Sequence, residues 1–377
     1  MLLHNHKSAC DAARHQQEEV LETTIQEAIR RVAAQTLATA QVPGLVIAVA
    51  RGQQPAVEIA LGSDAGGRPL TTASLFPVAS ITKLATALAV LRLVDAGAVA
   101  LDDPLGRYLP DAAASQDDVT VRSLLCHTSG LPLDLADHAA PYAPGLDWPA
   151  LARACLQTPL EAPPATRVQY SNVGYGLLAI VVERQTGQPF ARALAALVLE
   201  PLGVEAYLGT EPARPPAMIA DVRGPHTHSA LEPYNSPFWR SLALPWAGML
   251  TTAGGALRLL HAFLGMPAGF LRAEIRAEAT RNQTGALGGG FRPPLMWSPC
   301  PWGLGPEIRG TKAPHWIPAQ AGPDSFGHSG GSGCIAWAIP AADLGWAILG
   351  TRTADGGWLL RRGPAISAAI LAGVGPG

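Results

Sequence analysis

Ser80-Ile81-Thr82-Lys83 sets a serine three residues ahead of a lysine. On a helix that spacing is close to one turn, so both side chains project from one face. A serine hydroxyl is a poor nucleophile until a base removes its proton. A lysine can do that only when burial or neighbours lower its pKa. The surroundings suit the pair. Pro77 precedes a run free of Gly and Pro from Val78 to Ala96, and Gly97 follows it. The run is apolar nearly all round, which predicts a buried helix. Its N-terminus would place partial positive charge where an oxyanion forms. Lysine is also scarce: the chain has Lys7, Lys83 and Lys312 against 24 arginines. Lys7 falls in a frayed N-terminus and Lys312 in a Pro/Gly-rich loop, so Lys83 is read as the one lysine inside a buried helix. Arginine could not replace it, because a guanidinium does not release its proton at working pH.

Two further clusters could complete such a site. Tyr170-Ser171-Asn172 opens a second helix, read over Asn172–Thr186 and stopped by Gly187, with Tyr175, Leu178, Ala179 and Val182 on its apolar face. A phenol can relay a proton between nucleophile and leaving group, and an amide can hold both a lysine and a substrate carbonyl. Asn172 could equally be a plain helix N-cap. His328-Ser329-Gly330, followed by Gly331, precedes a late β-type run. A strand edge ending in Gly-Gly can bring backbone N–H groups against a reacting carbonyl. Each cluster is weak alone, but the three coincide by chance in roughly one chain in a thousand of this composition.

The elements that must hold these residues follow from the pattern around them. Residues 17–40 read as an amphipathic helix on Ile25, Ala28, Ile29 and Val32. Gly44–Ala50 and Ala56–Leu61 read as a hairpin. From 101 to about 245 helices alternate with Pro-rich turns. Residues 285–323 hold eight Pro and eight Gly and read as an irregular loop, functional or flexible. Gly333–Ile339 and Leu344–Thr351 return to β-type runs, and a helix near Ala365–Leu371 closes the chain. This order predicts an α/β body whose sheet is made by both chain ends, with a helical section inserted. The expected division is an α/β domain from 17–96 and 245–377, a mainly helical domain over 97–244, and a 1–16 extension that is a candidate for disorder.

The composition excludes several classes of function. The chain has 377 residues, is 48% hydrophobic and only 15% charged, and carries a formal charge of −2. That gives no basic footprint for nucleic acid. The most apolar stretch, Leu84–Leu91, is far short of the roughly 20 residues a membrane span needs. The N-terminus has no apolar core of a secretion signal, so a cytoplasmic location is expected. Cysteines 10, 126, 155, 300 and 334 are scattered without a C-x-x-C pair and read as free thiols. Cys126-His127 reads as packing. His226-Thr227-His228 lacks the partners of a metal site, and Gly288-Gly289-Gly290 lacks the Lys-Ser/Thr of a phosphate loop. Phe238, Trp239 and Trp246 read as core. No metal and no cofactor are implied, and the oligomeric state is not legible.

Across roughly residues 40–355 the chain resembles the β-lactamase-related serine hydrolases, which include class C β-lactamases, DD-peptidases and family VIII carboxylesterases. The resemblance is carried by five segments. They are Leu75-Phe76 through Lys83, Leu101-Asp102-Asp103-Pro104 through Tyr108-Leu109-Pro110, and Leu124 through Pro132. The last two are Trp302-Gly303-Leu304-Gly305 and Phe326-Gly327-His328-Ser329-Gly330. It implies a β-lactamase/DD-peptidase-like α/β fold, with an antiparallel sheet flanked by helices, an inserted helical domain and the active site between them. It also implies that Ser80 is acylated, that Lys83 and Tyr170 share general-base and general-acid work, and that Asn172 positions Lys83 and the acyl group. The oxyanion hole would be the N–H groups of Ser80 and Gly331, with His328 and Gly330 beside the substrate.

One motif departs from the family pattern. β-Lactamases carry K-T-G where this chain has His328-Ser329-Gly330. A histidine is mostly neutral near pH 7, so it loses the cation that favours a β-lactam carboxylate. The expectation is therefore a serine carboxylesterase for short- to medium-chain esters, closest to family VIII. The alternatives are a β-lactamase or D-Ala peptidase with weak β-lactam turnover, an acyltransferase using the same acyl-enzyme, and a binding protein that acylates and stalls.

Overall fold

The first strand, β1 (Gly44–Arg51), is apolar on both faces. Leu45, Ile47 and Val49 join one hydrophobic cluster, and Val46, Ala48 and Ala50 join another. Such a strand has to lie inside a sheet with a layer on either side. The computed structural model, which describes residues 26–116 and 118–374, puts it there. β2 (Val57–Gly62) pairs with it as the hairpin pattern predicts. Four more strands come from the far end of the chain: β3 (Glu307–Ile308), β4 (Phe326–Gly330), β5 (Cys334–Ile339) and β6 (Leu344–Gly350). The order is β2-β1-β6-β5-β4-β3, antiparallel throughout. Both chain ends thus build one sheet, with Ile47 opposite Ile348 in β6 and Ile59 in β2.

Helices cover both faces. On one, a helix over residues 26–40 supplies Ile29 and Ala33, and the last helix, Trp358–Val374, supplies Leu359, Ile366 and Ile370. They pack with Ile335, Trp337, Trp346 and Ile348. On the other face lies Ala253–Leu264, whose Leu257, Leu260 and Phe263 are buried. Beyond it, Thr82–Asp95 packs with Asn172–Thr186, the centre of the helical section. Gly187 ends the latter in the left-handed region at φ 66°, where glycine carries no Cβ penalty.

Three expectations are corrected. The predicted helix from Val78 is not continuous: Ala79–Ile81 is a tight 3-10 turn, and the α-helix starts at Thr82. The closing helix begins at Trp358, before Pro364 rather than after it. The helix runs on through Pro364, which lies inside it. The stretch 285–323 is not a loose loop. Gly289–Gly290 bridges Val168–Gln169 and Met296–Trp297, and Trp297, Trp302 and Trp316 are buried from it. Residues 17–25 of the first predicted helix, the 1–16 extension, Lys7 and Cys10 lie outside the described residues. Among the described residues no helix is long and apolar enough to cross a membrane.

Candidate active site

The Ser80 turn is held before and after by one segment, Met249–Thr251. The two-residue strand Phe76–Pro77 pairs with Leu250–Thr251, and the Val78 N–H donates to the Met249 carbonyl at 3.0 Å. The Met249 N–H in turn donates to Thr82 Oγ1 at 3.1 Å. Between these anchors Ala79 is held at φ 46°, a left-handed conformation costing an alanine about 1–2 kcal/mol. Strain of this kind persists only where neighbours over-determine it. It leaves Ser80 half-buried at the start of a helix whose Lys83 is fully buried.

Lys83 Nζ lies 3.4 Å from Ser80 Oγ, 2.6 Å from Asn172 Oδ1 and 3.0 Å from the Trp246 carbonyl oxygen. Burial pushes its pKa well below the ordinary lysine value, and the Asp134 carboxylate works the other way. The Tyr170 ring lies 4.6 Å from the same Nζ. Burial raises the Tyr170 phenol well above its usual pKa, and among the described residues its hydroxyl makes no formed hydrogen bond, although Ser80 is near enough to oppose the rise. The ring is fixed by His127 at 4.4 Å, Phe291 at 4.0 Å and Trp302 at 5.8 Å.

The structure brings Ser80, Lys83, Tyr170 and Asn172 together, and Gly330 and Gly331 border the same cavity of about 560 Å³. Among the described residues the Gly331 N–H has no hydrogen-bond partner. Ser329 also faces the cavity, whose wall combines the apolar Phe291, Leu295, Trp316, Leu359 and Leu360 with the charged Arg292, Asp355 and Arg361. His328 does not line it. Its side chain is buried, with the ring 6.0 Å from Tyr170 and 5.8 Å from Trp302. Strand alternation explains this: Ser329 turns to the cavity and its neighbour turns inward. Burial and the nearby Lys83 push His328 down to about 4. Its Nδ1 lies 2.6 Å from the Ser329 carbonyl, which can only accept, so Nδ1 carries the proton.

Lys312 lies in irregular backbone, as the sequence places it, yet not at the surface. It is as buried as Lys83, paired with Glu307 at 2.8 Å and with the Pro301 carbonyl at 2.9 Å. A Pro/Gly-rich segment can be irregular and still packed. The two lysines differ in their partners: Lys312 meets a carboxylate, whereas Lys83 meets only neutral oxygens.

Three contributors to the site have no local signal in the sequence. Asp134 accepts from Asn172 Nδ2, the Trp246 carbonyl accepts from Lys83, and His127 Nδ1 accepts from the Ser171 N–H at 3.1 Å. Cys126-His127, read as packing, thus also supports the Tyr170–Asn172 turn.

The sequence profile of the beta-lactamase family matches residues 29–367. The chain belongs to the beta-lactamase family of serine hydrolases. Within it, the chain is similar to the esterase EstB of Burkholderia gladioli, 36% identical over 279 residues, covering 65% of this chain and 69% of that one. It is also similar to penicillin-binding protein 4 of Amycolatopsis lactamdurans, 33% identical over 209 residues, where the match spans only 53% of the relative. Among solved structures, a beta-lactamase from Mycobacterium bovis superposes with a TM-score of 0.64 at 31% identity, covering 91% of this chain and 99% of the other. EstCE1, a hydrolase with promiscuous acyltransferase activity, shares the fold with a TM-score of 0.71 at 19% identity, covering 93% of this chain and 99% of the other.

One family position gives a test of how tightly the turn is held. A Cβ added at Gly330 would sit 2.2 Å from the Val78 carbonyl oxygen, a backbone atom with little room to move. Gly330→Ala should therefore push β4 off the Ser80 turn. Hydrolytic turnover should fall about 100-fold, since a misplacement near 1 Å costs that much. Initial rates and circular dichroism check this. Wild-type rates in a folded variant would show the contact to be slack.

Proposed function

We propose that the protein is a carboxylesterase that hydrolyses short- to medium-chain esters through an acyl-enzyme on Ser80. The observation that carries this reading is the setting of Lys83. A neutral amine has two hydrogens and one lone pair. Asn172 Oδ1 and the Trp246 carbonyl accept the two hydrogens, which leaves the lone pair for the Ser80 hydroxyl. Burial without a direct carboxylate partner favours that neutral form.

In the proposed reaction Lys83 takes the Ser80 proton as Oγ attacks the ester carbonyl carbon. The carbonyl oxygen becomes an oxyanion facing the N–H groups of Ser80 and Gly331 at the helix start. Tyr170, kept protonated by burial, gives its proton to the departing alkoxide as the C–O bond breaks, and recovers a proton from Lys83. Water then attacks the acyl-enzyme by the same path in reverse, releasing the acid and restoring Ser80. The apolar part of the wall, which Arg292, Asp355 and Arg361 adjoin, and a volume of about 560 Å³ suit a small apolar acyl group. The likeness to the esterase EstB supports the same substrate class.

Neutral His328 weighs against efficient β-lactam turnover. At pH 7 it offers no cation to a substrate carboxylate, and it is buried away from the cavity. The experiment compares p-nitrophenyl butyrate, nitrocefin and a D-Ala-D-Ala peptide on wild type and Ser80→Ala. Ester turnover that vanishes in Ser80→Ala and exceeds nitrocefin turnover is the expected result. Equal ester rates from the two proteins would remove Ser80 from the mechanism, and faster nitrocefin turnover would favour a β-lactamase. A competing alcohol that captures the acyl group would mark acyl transfer, and a single burst without turnover would mark a stalled binding protein.

A further inference from the structure

The Asn172 amide has a productive and an unproductive orientation, and the residue that selects between them lies outside every motif. If the amide turned over, its NH₂ would face Lys83 and donate to the lone pair. No acceptor would then remain for the Ser80 proton. Amide oxygen and nitrogen are nearly equal in size, so shape alone does not prevent the flip. On the far side of the amide, Nδ2 donates to Asp134 Oδ1. A carboxylate only accepts, so it welcomes the NH₂ and repels the amide oxygen.

Asp134 is itself fixed against the start of this helix. Three successive residues accept from it in turn: the Pro132 carbonyl from Ser171 Oγ at 2.6 Å, the Leu133 carbonyl from the Asn172 N–H at 2.7 Å, and the Asp134 carboxylate from Asn172 Nδ2. We propose that Asp134 is a positioning residue that locks the Asn172 amide with its oxygen toward Lys83, so that the lysine's lone pair stays on Ser80. The inference rests on the reading of Ser80 and Lys83 given above.

The same carboxylate acts on the lysine through space. Burial dominates in lowering the Lys83 pKa, and Asp134 raises it. The other titratable groups around the amine come from different elements. Tyr170 and Tyr175 place their rings 4.6 and 5.5 Å from Nζ. His328 and His127 are both held neutral near pH 7, chiefly by burial and then by Lys83. Asp134 is thus the nearby group whose negative charge favours the ammonium.

The test uses the full chain with p-nitrophenyl butyrate, in wild type, Asp134→Ala, Asp134→Asn and Ser80→Ala, over about pH 5–9, with thermal unfolding in parallel. Asp134 is exposed, so its replacement leaves the core untouched. Asp134→Ala should lose about tenfold or more in kcat with KM little changed, a modest share of what a general base contributes. Asp134→Asn retains an acceptor oxygen and should keep more of kcat. In both, the acid limb of kcat/KM should move to lower pH, because that limb follows Lys83 deprotonation and a nearby negative charge has gone. A merely structural role would lower the unfolding temperature and leave the limb in place. Wild-type kcat within twofold and an unmoved limb in both variants would overturn the inference, while an inactive Ser80→Ala would leave the catalytic reading standing. An active Ser80→Ala would overturn both.

Discussion

Methionine in place of Lys83 should cut kcat on p-nitrophenyl butyrate about 10⁴-fold or more and leave the protein folded. Members of one catalytic unit fail together, so the loss should approach that of Ser80→Ala rather than add to it. The argument for an intact fold is local. Lys83 is fully buried in a helix where Leu84, Ala85, Ala87 and Leu88 are buried too, so methionine matches its surroundings and roughly its volume. Two acceptors, Asn172 Oδ1 and the Trp246 carbonyl, lose a donor, at about 1–3 kcal/mol each if no water replaces it. Removing a costly buried amine offsets part of that. KM should stay near wild type, because no ground-state substrate contact is removed. Lys83→Arg should be equally inactive, since a guanidinium keeps its proton. Steady-state kinetics with unfolding curves decide it: a folded Lys83→Met within tenfold of wild type would take the base role away from Lys83.

How much of this was legible from the residues depends on the range of the interaction. Helix Asn172–Thr186 is legible, because its periodicity, the Tyr-Ser-Asn start and Gly187 are all local. The sheet built from both chain ends is legible from four of its six strands, whereas Glu307–Ile308 lies in the stretch read as a loop and Phe326–Gly330 ahead of the late β-type run. Ser80 and Lys83 are legible as a pair, but their i, i+3 spacing spans the junction of a 3-10 turn and an α-helix, which apolar periodicity cannot distinguish. Asp134 is illegible: it is one exposed aspartate in a loop, and its role exists only because residues 132–134 run alongside 171–172. His328 is legible as part of a motif but not as an inward-facing side chain, since strand phase is set by the sheet. Lys312 is legible as a residue of irregular backbone but not as a buried one, because Pro and Gly signal irregularity and say nothing about depth.

That buried lysine leads to the second large effect, which falls on stability. Lys312→Met should destabilise the protein by about 3–5 kcal/mol, because it leaves a buried carboxylate without its ion-pair partner. Glu307 is fully buried, its Oε2 has no partner among the described residues, and its Oε1 would keep only His315 at 3.3 Å. In wild type, burial alone would raise the Glu307 pKa, but Lys312 and then His315 outweigh it and hold the group at about 2. The sign follows: a depressed carboxylate contributes stability above its ordinary pKa, and that contribution is lost as pH falls toward 2. In Lys312→Met the balance inverts. Burial then raises the pKa, and the deficit should shrink as pH falls toward about 5, where protonated Glu307 has no charge to bury. The unfolding midpoint at pH 7 should drop by roughly 4–6 °C. Replacing both partners, Lys312→Met with Glu307→Leu, should recover most of the loss, since a buried pair exchanged for apolar groups is often neutral. Activity should respond as well. Lys312 Nζ lies 4.9 Å from the centre of the Trp302 ring, which packs on its other contacts against His127, Tyr170 and His328. Melting curves at two pH values separate this from a packing defect: a deficit of equal size at pH 5 and pH 7, unrelieved in the double variant, would mean that volume and not charge is what Lys312 supplies.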